Sequence, residues 1–314
     1  MNSFYNYFNQ DLASRYARWL PLVNADSLQY LDSQTLAKDT PMLKEAFHVA
    51  VPTAFAADED LDTAETLKHI GWLISKDINS VMVCGSTGEQ HSLSPAEKLE
   101  LLAALGDLTK PQGFELLFGA ASVRLRDTTQ LVKELQEAAH ITGIVLGFPP
   151  YIRPSQNEAT YYVREVADHT NKPIVLYNNP ARTGFNLAPE TLEKLSDLPN
   201  LAGIKEAADP TQIKTISEIL PHLPLYAGGE VGLSDRIQAG CSRLSSIGGN
   251  LYPQEVKTWF ETLLLQSDSP CPEPLQAKLT DLYSHQVLPR LKAELPLVTG
   301  HSLGSCRLPL GADS

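Results

Sequence analysis

PIVLYNNPARTGFNLAPETLEKLSDLPNLAGIKEAAD, residues 173–209, contains one complete structural unit of the chain. PIVLYN (173–178) is short and almost continuously apolar, the composition of a strand covered on both faces. APETLEKLSDL (188–198) reads as a helix, with Pro189 in its first turn. LAGIK (201–205) returns as a second apolar strand, so the stretch is strand, loop, helix, strand. A parallel pair joined by a helix is what such a unit builds.

The unit recurs on both sides. Further strands are expected at HVAVPT (48–53), INSVMVC (78–84), FELLFG (114–119), TGIVLG (142–147), PLYAG (224–228) and SRLSSIG (242–248). Helices fall between them. LDTAETLKHIGWLIS (61–75) follows a run of acids that suits a helix N-terminus. SPAEKLELLAALG (94–106) has Ser94 as cap, Pro95 in the first helical position and Glu97 three residues after the cap. SQNEATYYVREVADHT (155–170) and DPTQIKTISEIL (209–220) follow similar rules. Eight alternating units predict an α/β fold, a (β/α)8 TIM barrel over residues 47–265. A doubly wound open sheet is the alternative, but no G-x-G-x-x-G follows the first strand to support it.

Residues 1–46 are extra to the barrel and contain a helix candidate, DLASRYARWLPL (11–22), of unassigned role. Residues 266–314 form a short C-terminal helical extension. It holds a Pro/Ser loop at SDSPCPEP (267–274), one helix near LQAKLTDLYSHQVLPRLKAEL (275–295), and an extended, partly loose end from Gly304.

The net charge of −12 and pI near 5.1 argue against a general nucleic-acid binder, which needs a basic face. Four scattered cysteines without metal-ligand spacing read as reduced thiols. No apolar run approaches the roughly 18 residues of a membrane span, and the N-terminus has no basic-then-apolar leader. The cytoplasm is therefore the expected compartment.

In such barrels chemistry sits at the C-terminal ends of strands and in the loops after them. That rule selects Ser86 and Thr87 in GSTGE (85–89), Tyr151 and Arg153 after the fourth strand, and Tyr177, Asn178 and Arg182 around the fifth. It also selects Lys205 and Glu206 in the sixth, Gly228-Gly229-Glu230 after the seventh, and Ser245 in the eighth. Lys205 is the most informative. A lysine directed into a barrel is costly to keep charged, so its amine becomes neutral and nucleophilic. The alternative on the strand alone is that it ends one residue early and leaves Lys205 solvated beside Glu206. Tyr177 can equally be core packing, GSTGE a plain tight turn, and Arg182 a surface ion pair. The free N–H groups and hydroxyls of GSTGE suit a carboxylate, and an arginine can bind one through two parallel bonds. No His/Cys/Asp cluster at metal spacing and no serine-hydrolase elbow is present. His91 and His140 read as surface residues or helix ends, and a metal-free, cofactor-free mechanism is expected.

Together, GSTGEQHSLSPAEK (85–98), residues 149–209 and, more weakly, AGGEVGLSDRIQAGCSRLSSIGGN (227–250) resemble the pyruvate-dependent barrel lyases. That family includes dihydrodipicolinate synthase and N-acetylneuraminate lyase. Y-N-x-P-x-R-T-G (177–184) paired with G-I-K-E-A (203–207) is its specific feature. The resemblance implies a Schiff base between pyruvate and Lys205. It implies a proton relay through Thr87 and Tyr177, completed by Tyr151 reaching a neighbouring subunit's site. It also implies carboxylate binding at Ser86 and Thr87, a homo-oligomer (dimer or tetramer), and attack of the enamine on an aldehyde.

Arg182 resembles the synthase branch, where it meets the aldehyde's own carboxylate, and this favours aspartate semialdehyde as partner. Ser86 is more like the sialic-acid lyase branch. Gly229-Glu230 replaces two acids, Ser245 replaces an apolar residue beside the pyruvate, and Gly228 lies against that substrate. Pro95, Lys98 and Arg126 stand where lysine-regulated synthases have histidines and an acid, so lysine feedback is not expected. The alternatives are a catabolic 2-oxo acid aldolase or dehydratase on the same Lys205, and a non-catalytic barrel that binds oxo acids.

Overall fold

A computed structural model describes residues 43–312. The helix expected at residues 11–22 lies outside the described residues. Eight parallel strands close into a barrel in sequence order. They are β1 (Phe47–Ala50), β2 (Ser80–Val83), β3 (Glu115–Ala120), β4 (Gly143–Gly147), β5 (Ile174–Asn178), β6 (Leu201–Glu206), β7 (Leu225–Ala227) and β8 (Arg243–Ser246). The helices after β1 to β4 are α1 (Thr63–Ile74), α2 (Pro95–Ala104), α3 (Leu125–Glu137) and α4 (Gln156–Ala167). After β5 come the one-turn α5 (Pro180–Thr183) and then α6 (Pro189–Leu195). α7 (Pro210–Ile219), α8 (Leu233–Gln238) and α9 (Pro253–Leu265) complete the ring. The chain is a (β/α)8 barrel.

Local chemistry sets the helix starts. Ser94 and Ser155 each cap a helix and are answered by Glu97 and Glu158 in full capping boxes. Strand parity then sorts the core. Phe47, Val49, Val81, Leu116, Ile144, Leu176, Ile204 and Leu244 face outward into the helix layer. Met82, Leu117, Val145, Val175 and Tyr226 face inward.

The registers order the interior into layers. Val49 pairs with Val81, Met82 with Leu117, Val145 with Val175, Tyr177 with Lys205, and His48 with Ser245. Strand tilt shifts each neighbour by about one residue along the axis. Met82, Val145, Lys205 and Ser245, all on even-numbered strands, therefore share one level. His48, Leu117, Val175 and Tyr226, on odd-numbered strands, lie directly beneath. At the N-terminal end Arg243 donates to the carbonyls of Leu43 and Glu45 and to the Tyr226 hydroxyl, which plugs the barrel.

The C-terminal extension departs from expectation. Its expected single long helix is two, α10 (Glu273–Tyr283) and α11 (Val287–Thr299), broken around Ser284–Gln286. The end from Gly304 is docked rather than loose. Leu303 and Cys306 are buried, and Arg307 donates to the carbonyls of Glu59 and Ser92 and to the Glu97 carboxylate. Burial of those apolar groups and the multiply bonded guanidinium hold it down.

Candidate active site

Lys205 stands in the fifth position of β6, buried on the inward face. Its Nζ lies 4.5 Å from the centroid of the Tyr177 ring and 4.0 Å from Met82 Sδ. Among the described residues it has no salt bridge. Burial pushes its amine below the ordinary lysine range, a shift that Tyr177 and Glu230 partly oppose. The buried alternative of the sequence holds, and the solvated one does not. Glu206 turns the other way, where Asn178, the Ala208 N–H and Gln212 donate to its carboxylate.

Beyond Met82 and Tyr177 opens a cavity of about 230 Å³ at the C-terminal end of the barrel; Lys205 touches these two residues and is not itself among the lining residues. Met82, Ser86, Tyr177, Asn179 and Arg182 line the cavity. Asn179 donates to the Tyr177 hydroxyl at 2.6 Å and so fixes where that oxygen sits. The turn after β2 holds Ser86 in the wall, whereas Thr87 is not among the lining residues. Gly119 is what lets this turn approach β3, since a Cβ there would meet the Cys84 carbonyl oxygen at 2.2 Å. Behind the turn the buried Glu89 accepts from Lys292 Nζ at 2.7 Å and from the Arg307 N–H at 3.0 Å.

Arg182, on α5, is exposed at the cavity rim. Tyr151 is 90% exposed, has φ +74°, and does not line the cavity. Ser245 is buried and Gly228 half-buried, and neither lines the cavity. Glu230 faces away from the cavity as a structural brace. It accepts from Ser246, from the Tyr283 hydroxyl of α10 and from the Gly248 N–H. A larger groove of about 560 Å³ runs past Glu230 and Tyr283.

Ser86, Tyr177 and Arg182 line the cavity and Lys205 lies against Tyr177 without lining it; Thr87 and Tyr151 are not among the lining residues. The structure also adds residues that sequence reasoning missed. Asn179 escaped because a loop asparagine signals only a turn. His91, exposed as expected, also lines the cavity mouth. His48 was hidden in an apolar strand; only its parity with Ala50 marks it as inward-facing. Among the described residues no group of three or more His, Cys, Asp or Glu could hold a metal, and no helix is long and apolar enough to cross a membrane.

The profile of the dihydrodipicolinate synthetase family matches residues 44–312. The chain belongs to that family. Its members are pyruvate-dependent class I lyases and aldolases, and this chain is one. Among its relatives, the 4-hydroxy-tetrahydrodipicolinate synthase of Stenotrophomonas maltophilia is 31% identical over 276 residues, covering 84% of this chain and 90% of that protein. The enzyme of the same name from Caldicellulosiruptor saccharolyticus is 29% identical over 269 residues, covering 83% of this chain and 89% of that one. A solved variant of Sulfolobus solfataricus 2-keto-3-deoxygluconate aldolase superposes with a TM-score of 0.72 at 23% identity, covering 85% and 90%, which is a likeness of fold alone. The same barrel fold is thus found in an aldolase of another name.

Proposed function

We propose that Lys205 forms an imine with pyruvate and that the derived enamine condenses with aspartate semialdehyde, the reaction of a 4-hydroxy-tetrahydrodipicolinate synthase. The observation that carries this reading is Lys205 itself, a buried amine with no ion-pair partner among the described residues, set against Tyr177 and Met82 of the cavity lining. A desolvated amine has a larger neutral fraction, and the neutral form attacks a ketone.

The remaining parts have roles consistent with that step. The turn after β2 offers N–H groups and the Ser86 hydroxyl to the pyruvate carboxylate. The Tyr177 hydroxyl moves the proton that carbinolamine dehydration and enamine formation each require. Ser86, which lines the cavity with Tyr177, would take the part that the sequence suggested for Thr87. Tyr151, exposed on a strained turn, would complete the relay in a neighbouring subunit of a homo-oligomer. Arg182 at the rim would bind the carboxylate of the incoming aldehyde.

A second reading, a catabolic aldolase on a sugar-derived 2-oxo acid, is favoured by one observation. Gly229 has no side chain and Glu230 is spent on Ser246 and Tyr283, so neither offers an acid to the acceptor.

Incubation with pyruvate, borohydride reduction and peptide mapping tests the shared step. A pyruvyl adduct on Lys205, absent from Lys205→Ala, is expected. No adduct with pyruvate or related 2-oxo acids would refute it. Turnover across aldehydes with and without a carboxylate then separates the two readings.

A further inference from the structure

Four buried polar atoms make no hydrogen bond among the described residues: His48 Nε2, Thr128 Oγ1, Ser245 Oγ and Trp259 Nε1. Two of them, on His48 and Ser245, are register partners on adjacent strands, and both residues are at most 1% exposed. They face the barrel axis, Ser245 at the level of Lys205 and His48 one layer beneath. Native interiors seldom leave such atoms unmatched, and each that remains calls for a partner such as a water, an ion or a reacting group. The His48 ring packs 5.3 Å from that of Tyr226, which fixes its plane. Burial, then the charges of Lys205 and Arg243, hold the imidazole well below its ordinary pKa. A neutral imidazole and a hydroxyl can each donate or accept, the pairing suited to a hydroxyl group.

The barrel's order indicates which hydroxyl. β2 lies opposite β6, and β4 opposite β8. A carbon bonded to Lys205 on β6 sends its carboxylate across to the turn after β2. The aldehyde enters on the β4–β5 side, where Gly147, Asn179 and Arg182 line the cavity, so the reacting donor carbon faces that side. The remaining substituent, the former ketone oxygen, is directed toward β8. We propose that Ser245 and His48 form the subsite that holds this oxygen as the carbinolamine hydroxyl and while it departs as water.

In that step the amine lone pair forms C=N as the C–O bond breaks. The oxygen leaves with one proton delivered by the Tyr177 relay, which Tyr177 recovers from the donor carbon when the enamine forms. Ser245 and His48 bind the oxygen and transfer no net proton. The inference rests on imine formation at Lys205.

The test compares rates of borohydride-trappable imine, and of enzyme-catalysed loss of ¹⁸O from carbonyl-labelled pyruvate, above the uncatalysed background. Ser245→Ala and His48→Leu should lower both by about tenfold, the worth of one hydrogen bond to a reacting oxygen. Ser245→Thr and His48→Gln, which keep the polar atoms, should restore them. Addition of aldehyde to preformed imine should not change. Wild-type rates in Ser245→Ala and His48→Leu would overturn the subsite alone, as would equal losses in the conservative pair. Absence of any imine in the wild type would overturn the Schiff-base reading with it.

Discussion

Lys292→Met should destabilise the protein strongly, although Lys292 lies far along the sequence from Lys205. Its Nζ is 2.7 Å from Glu89, with side chains 2% and 0% exposed, and it also donates to the Ser305 carbonyl at 3.1 Å. Burial pushes its amine below the usual lysine range, and Glu89 pulls it back. Removing one member of such a pair leaves a buried charge uncompensated, at about 3–5 kcal/mol. For a domain of this size each kcal/mol corresponds to about 2–4 °C, so Tm should fall by on the order of 10 °C. Glu89→Gln combined with Lys292→Met removes both charges while retaining an acceptor for the Arg307 N–H. It should recover more than half of the loss. Glu89 follows Thr87 by two residues and its N–H donates to the Ser86 carbonyl at 3.2 Å. The single variant should therefore also raise the half-saturating pyruvate concentration for imine trapping, at temperatures where it is folded. Calorimetry with pyruvate titration measures both. A Tm within about 2 °C of wild type, or a double variant no more stable than the single, would refute the argument.

Three further outcomes are expected. Arg182→Ala should lower kcat/KM for aspartate semialdehyde by about tenfold relative to a neutral aldehyde; its exposure keeps the charge-assisted bond at the low end of about 1.5–3 kcal/mol, and equal losses for both aldehydes would count against that role. Lys205→Met should abolish the adduct and raise Tm: the folded amine pKa is lowered, so the unfolded chain binds more protons, and the Tm gap to wild type should narrow as pH rises toward about 10.4. His69, buried between His301 and Asn250, has its pKa lowered to about 4, mainly by burial. The unfolded chain therefore takes up protons first, and stability should fall as pH drops from about 6.5 towards that value, less steeply in His69→Gln on chemical denaturation.

The barrel was legible because its strands are buried on both faces and its helices announce their starts. Each of the eight apolar runs became a strand, most of them shortened at the ends, while β3 is shifted by one residue to Ala120 and β6 runs one residue past Lys205 to Glu206. What the sequence could not supply was the inward or outward sense of each position. In a strand like FHVA both faces are apolar, so a single histidine carries no sign of which side it occupies. Lys205 was the exception, because its charge makes either answer consequential. The C-terminal end was misjudged for a related reason. Its anchors, Cys306 and Arg307, act on residues more than 200 positions away, and nothing local in SCRLPL signals a long-range clamp.

That clamp and the site belong to one energetic problem. Among the described residues six non-glycine positions have positive φ, and four lie on the turns around the cavity: Cys84 and Glu89 after β2, and Tyr151 and Arg153 after β4. Such residues cost about 1–3 kcal/mol each and persist only where surroundings over-determine them. The turn after β2 is held by contacts from far along the chain: Lys292 of α11 and the Arg307 N–H both engage the Glu89 carboxylate, and Arg307 reaches on to Glu97 at the start of α2. Arg307 in turn holds Glu97 down to about 2, so that carboxylate stays charged throughout the working range. The turn that carries Ser86 is strained on its own. The extension beyond the eighth unit supplies bonds that keep it in shape, so a chain cut after α9 would retain every strand of the barrel and lose the contacts that shape this turn.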